Sequence, residues 1–245
     1  MVESNNAINN TVGASISGVT NTLTVTNPSN TASSVARETI TVGGASAGDP
    51  SLNWNVVGVT DWEMGIDNND GDKLKISQGT ALGTNDTWIM TTAGERTMPL
   101  QPCFLAQSTA AQNNITGDGT VYTVVYADVE FDQNSDFDGT STFTAPVTGK
   151  YYFDCSVTPD GITNAMSGGG LRVKVNGADR IIEGLGNPWN QSNQSNGTIS
   201  FSVHGFAEMD AGDTATTEFN LVGGAKVVDL SAGSFIHVFS GALVC

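Results

Sequence analysis

The chain has 245 residues and a net charge of −16 at pH 7, with 14% of positions charged and 29 glycines. Residues 1–100 carry 4 basic and 10 acidic side chains and the remainder 5 and 15. Both parts therefore lack the basic footprint that phosphate binding requires, and nucleic acid and anionic membranes are not expected partners. No apolar run approaches the roughly 18–20 residues of a bilayer span, so no membrane insertion is expected. The opening Met1-Val2-Glu3-Ser4-Asn5-Asn6 has neither the basic nor the apolar region of a secretory signal, which predicts synthesis in a cytoplasm. Thr and Val favour pleated, half-buried strands, while Asn, Gly and Ser supply turns. The composition reads as all-β.

Residues 1–20 are small and polar and read as an extended or flexible arm. From 21 to 102, short alternating runs recur: Leu23 and Val25, Ile40 and Val42, then Leu52, Trp54 and Val56. Trp62, Met64 and Ile66 follow, then Leu74 and Ile76. Turn chemistry such as Asn27-Pro28-Ser29 and Asn68-Asn69-Asp70-Gly71 bounds them, predicting a smaller, stem-like β domain. That section is thin in apolar residues, and such a chain gains a core when copies associate. The stretch from Gly94 to Pro102 holds Pro99 and Pro102 and reads as a semi-rigid connector, which places the boundary to a second domain at 103–245.

In that second section, Val121–Val125 and Phe235–Phe239 are nearly continuous apolar runs and predict central strands. Tyr151–Val157 and Ile199–Val203 alternate, with Ile199, Phe201 and Val203 inward and Ser200, Ser202 and His204 outward. Asn176-Gly177, between Val173 and Val175 on one side and Ile181 on the other, predicts a tight hairpin. Roughly eight to ten strands fit a double-sheet jelly roll. Phe239-Ser240-Gly241 puts a small residue where a backbone can approach closely. The odd, widely spaced Cys103, Cys155 and Cys245 match no zinc or redox spacing and are expected as free thiols, with Cys155 buried beside Tyr151, Phe153 and Val157.

Few residues nominate chemistry. Counted from Asp67, the sixth and twelfth places of a hand-type calcium loop hold Asp72 and Gln78 instead of Gly and Glu, so the acidic run reads as a turn. Asp132, Asn134, Asp136 and Asp138 likewise read as a loop, and the two histidines, His204 and His237, as structural strand residues. No carboxylate pair or triad stands out, no catalytic residue is assigned, and an enzyme is not expected. The loop Gly186–Gly197 is the most suggestive feature. Among small, polar and turn-forming residues it carries one large aromatic, Trp189, with Asn190, Gln191 and Asn193 beside it. An aromatic face with neighbouring amides suits a neutral sugar. The other reading of Trp189 is an indole tucked onto the body of the fold or into a subunit contact.

Several segments carry a resemblance: Phe104-Leu105-Ala106, Phe131-Asp132 before Phe137-Asp138, Phe143-Thr144-Ala145-Pro146-Val147-Thr148-Gly149-Lys150-Tyr151-Tyr152-Phe153, Val173-Lys174-Val175-Asn176-Gly177, Ala211-Gly212-Asp213-Thr214, and Phe239-Ser240-Gly241-Ala242-Leu243-Val244-Cys245. In this order they resemble the globular-head family shared by the first complement component and the tumour necrosis factors, over about residues 103–245. The resemblance implies a ten-stranded antiparallel jelly roll and a homotrimer packed along its three-fold axis. It admits a calcium ion near the trimer top, without assignable ligands; no other cofactor is expected. No collagenous stalk precedes the head. Instead Trp62-Glu63-Met64-Gly65-Ile66-Asp67, Asp72-Lys73-Leu74-Lys75-Ile76-Ser77, Leu82-Gly83-Thr84 and Gly94-Glu95 resemble segments of bacteriophage tail fibres, over about 20–102.

Together these readings predict a virion fibre, spike or decoration protein at the particle surface. Its trimeric head would bind a host-surface glycan or protein, and its other partners would be further virion proteins. The alternatives are a purely structural capsid decoration or tail component and a secreted bacterial lectin-like adhesin.

Overall fold

The computed structural model describes residues 26–192 and 197–245; the arm expected at 1–20 and the Leu23–Val25 run lie outside them. Five strands, β1 (Ser51–Val56), β2 (Thr60–Asp67), β3 (Lys73–Gln78), β4 (Asp86–Met90) and β5 (Arg96–Thr97), pair in sequence order as an antiparallel meander. The expected strand at Ile40 and Val42 is absent. Residues 26–50 pair with no strand, and the end of that stretch is tied down by polar contacts instead, Asn68 Nδ2 donating to the Ala47 carbonyl at 2.9 Å.

The chain continues through β6 (Cys103–Gln107), β7 (Gln112–Thr116), β8 (Tyr122–Thr123), β9 (Asp128–Asp132), β10 (Thr142–Thr144), β11 (Gly149–Val157) and β12 (Pro159–Asp160). Then follow β13 (Gly168–Val175), β14 (Ala178–Gly186), a one-turn helix α1 (Pro188–Ser192), β15 (Phe201–Met209), β16 (Thr214–Val222), β17 (Val228–Leu230) and β18 (Val238–Leu243).

The pairing is nested. β6 pairs with β18, β10 with β16, β11 with β15 and β13 with β14, all antiparallel, so early strands meet late ones and the innermost pair is a hairpin. That order defines a jelly roll. Its two sheets run β9-β6-β18-β11-β15 and β10-β16-β13-β14, with β8 added along β16, which makes the expected ten strands. A small third sheet, β12-β17-β7, was not anticipated. The hairpin turn falls at Asn176 (φ 50°) and Gly177 (φ 76°), the left-handed pair that a two-residue turn requires.

Period-two patterning explains the core. On β11, Tyr151, Phe153, Cys155 and Val157 are buried, and on β15 Phe201 and Val203 are, as alternation predicted. Phe104 stacks on Phe143 at 5.0 Å and meets Phe239 edge-on at 5.0 Å, with Phe153 and Phe239 5.7 Å apart. Two apolar runs were misread. In Val121–Val125 the strand along β16 covers only Tyr122 and Thr123, with the N–H of buried Val124 adding one bond to the Thr217 carbonyl at 3.0 Å, while Val121 is exposed. In Phe235–Phe239 the strand starts at Val238, because Phe235 (φ 57°) turns outward and His237 leaves the ladder to bond backbone. Gly241 also differs from expectation: what crowds it are the rings of Phe104 and Phe153, not a backbone.

All three cysteines are free: Cys245 exposed, Cys103 half-buried and Cys155 buried. The Cys155 sulfur lies 3.2 Å from Tyr126 Oη, and burial pushes its thiol up to about 12. In native buffer Ellman's reagent is expected to titrate Cys245 at once and Cys155 only after unfolding. Equal rates for the two would contradict the packing.

Candidate functional site

The segment between β14 and β15 holds the sequence-nominated residues. Asn187 (φ 53°) anchors it, its N–H donating to the Ser167 carbonyl at 2.9 Å while its Oδ1 accepts from Asn190 N–H at 3.4 Å. With Pro188 in the first helical position, this is an N-terminal cap, and it turns what sequence suggested was loop into α1. On α1, Asn190 and Gln191 are exposed and Trp189 is half-buried. Asn193 lies outside the described residues. One helical turn thus presents two amides beside a partly covered indole.

A second surface was missed in the sequence, although strand parity points to it. The residues of β11 and β15 that alternate with the core set face away from it, so Tyr152 and Phe206 project outward as register partners, with ring centroids 5.2 Å apart. The same rung continues to Ala242 on β18 and Cys103 on β6, and the next rung runs through Ser240, Leu105 and Phe131. Phe206 is 65% exposed and Phe131 48%. Cys103, Leu105, Phe131, Tyr152, Ser240 and Ala242 enclose a shallow depression of about 260 Å³. This aromatic patch crosses a whole sheet, and nothing among the described residues covers it.

The acidic segments do structural work. Asp132 accepts from the backbone N–H groups of Asp136 and Phe137 at 3.1 and 2.9 Å, and Asp138 from those of Thr140, Ser141 and Thr142 at 2.8–3.0 Å. Around Asp67 the decisive partner is a cation that sequence reading overlooked. Lys75 Nζ, buried, lies 2.8 Å from Asp67 Oδ2, 2.7 Å from Asp70 Oδ2 and 3.0 Å from Asp86 Oδ2. Burial alone would lower the Lys75 pKa, but hydrogen bonds to the three carboxylates outweigh it and hold the ammonium firmly charged. An ammonium thus fills the place where a calcium ion was considered. With Lys75 in place, no group of three or more His, Cys, Asp or Glu side chains among the described residues is arranged for a metal.

His237 is buried, with Nδ1 accepting from Thr158 N–H at 3.1 Å and Nε2 donating to the Ser231 carbonyl at 2.9 Å. Burial depresses its pKa, so it is held neutral as a bridge between two loops. His204 lies on the exposed face of β15 with its ring 6.4 Å from Tyr152, on the margin of the aromatic patch.

No protein-family model and no curated protein matches the chain. Among solved structures it is similar to the globular domain of zebrafish complement 1qA protein, at 21% identity over 59% of this chain and 98% of that one, with a TM-score of 0.37. It is also similar to murine APRIL in a crystal structure at pH 8.5, at 13% identity over 59% of this chain and 99% of that one, with a TM-score of 0.40.

Proposed function

We propose that the chain is a virion fibre, spike or decoration protein whose jelly-roll head associates as a homotrimer and binds a host-surface glycan or protein. The observation that carries this reading is the outward rung of Phe206, Tyr152 and Ala242 with Leu105 and Phe131 beside it. A sheet whose inner face already forms the core has no reason to expose aromatic rings unless a further surface covers them. Copies of the same head are the simplest cover. Association would also repeat any receptor site, so weak individual contacts gain avidity. The fibre assignment is supported by the likeness of the Trp62–Ser77 motifs to tail-fibre segments and by the thin meander that precedes the head.

The receptor site we assign is the Gly186–Gly197 loop that carries α1, with Trp189 stacking on ligand and Asn190, Gln191 and Asn193 bonding its hydroxyls. Purified protein is expected to bind host cells saturably and to block adsorption of the particle that carries it. Trp189→Ala should weaken that binding by about 1–3 kcal/mol while the melting temperature moves by less than about 4 °C. Unchanged binding together with a stability loss of about 3 kcal/mol or more would make the indole structural and remove α1 as the site.

A further inference from the structure

The meander is amphipathic in the reverse of the usual sense: its polar face is covered around Asp67, Lys75 and Ser77, all buried, while its apolar face is open. Residues 79–85 fold over the charged side, where a Cβ at Gly83 would stand 2.8 Å from Asp67 Oδ2 and Leu82 is buried. The segment before β1 closes the same region, with Asn68 N–H donating to Asp49 Oδ1 at 2.8 Å. On the other face, strand register aligns Trp54 with Trp62, Leu52 with Met64, Met64 with Ile76 and Ile76 with Trp88. Trp54 is 52% exposed and Val56 58%, and Leu52, Trp62 and Ile66 are also open. Val57 and Val59 extend the patch to the β1–β2 hairpin tip. With these fractions applied to residues of roughly 150–250 Å², the open area is on the order of 700 Å². That exceeds the roughly 300–600 Å² of the largest patch on a monomer and approaches the roughly 800 Å² per partner of a stable interface.

We propose that this face packs against the same face of other copies of the chain, as a second contact between subunits, separate from the head. The inference rests on the proposed association of the heads, which would bring the meanders together. The identity of the occupant follows from charge. Copies carrying −16 each repel wherever acidic surfaces meet, but no position of β1 to β4 on this face is ionisable and the one charge at its border, Arg96 of β5 opposite Met90, is positive, so it is where copies can approach without that acidic penalty. The geometry of attachment agrees. The connector is fastened to the head, Gln101 Nε2 donating to the Leu243 carbonyl at 2.7 Å and Gln133 Nε2 and Asn134 Nδ2 to the Met98 and Leu100 carbonyls at 2.9 Å. Associated heads therefore hold their meanders at high effective concentration.

The test uses the full chain with Cys103 and Cys245 replaced by serine and a pyrene maleimide on Val56→Cys, with mass measured by light scattering on labelled and unlabelled protein. The expected result is a multiple of the 25.4 kDa chain mass together with pyrene excimer emission that disappears on dilution to monomer. Unlabelled multimers whose labelled form is monomeric would also support the contact, since the label would then have broken it. Multimers with the label in place and no excimer would overturn the meander contact and leave head association standing. A monomeric mass in the unlabelled protein would overturn both and leave the face to residues 1–25 or to a different protein.

Discussion

Gly241→Val is expected to destabilise the jelly roll by about 3 kcal/mol or more, and Gly241→Ala by about 2 kcal/mol. Gly241 sits in β18, the central strand of its sheet, paired to Phe153 on β11 and to Phe104 on β6. A Cβ there would stand 2.7 Å from ring atoms of both phenylalanines. Those rings cannot withdraw: Phe104 is held by Phe143 and Phe239, and Phe153 by Phe143 and Phe239, all within 6 Å between centroids. Urea unfolding followed by near-ultraviolet circular dichroism measures the loss. The cause is separable, because trimming one ring should relieve the clash. Phe153→Leu added to Gly241→Ala should therefore cost less than the sum of the single changes, a coupling that neighbours sharing one cavity produce. Strict additivity would place the strain elsewhere.

The jelly roll was legible wherever one strand face meets the core and the other meets water. β11 and β15 alternate cleanly for that reason, and Asn176-Gly177 announces its turn through backbone demands that few other residues meet. Continuous apolar runs misled, since period two disappears from them. Val121–Val125 is a brief edge pairing, and Phe235 belongs to a turn. The first section reads as thin in apolar residues, yet the structure places its three tryptophans and most of its strand aliphatics together on one face of a single sheet. What looked like a shortage is a one-sided distribution. The outward aromatic patch of the head could have been found by asking which residues alternate with the core set. The grip on Lys75 could not, because Asp86 lies across the 79–85 loop and reaches the amine only through the bulged register of β3 and β4.

Lys75→Met is expected to cost the meander about 3 kcal/mol, the lower end of the range for breaking a buried ion pair, because Asp70 remains partly open to water. One ammonium answers three carboxylates, so its removal leaves like charges facing each other under a loop that they help to hold. Asp86 accepts from Gly83 N–H at 2.8 Å and from the Ser77 hydroxyl, which ties residues 79–85 to the same centre. Three of the four tryptophans, Trp54, Trp62 and Trp88, lie in this sheet, so tryptophan fluorescence reports its melting. Acid should mimic the substitution. The hydrogen bonds from Lys73 and then Lys75 hold the Asp70 carboxyl down at about 2; burial opposes ionisation of Asp86, but hydrogen bonds from Ser77, Lys75 and the Gly83 N–H outweigh it and lower its pKa. The stabilisation is thus complete above the usual carboxylate range and lost as the pH falls toward about 2, and Lys75→Met should flatten that fall. Calcium separates electrostatics from packing. With the ammonium gone, three convergent carboxylates suit a hard cation, so millimolar calcium should raise the melting temperature of Lys75→Met and leave the wild-type protein unmoved. A variant as stable as wild type without calcium would mean that the ion pairs contribute nothing to holding the sheet.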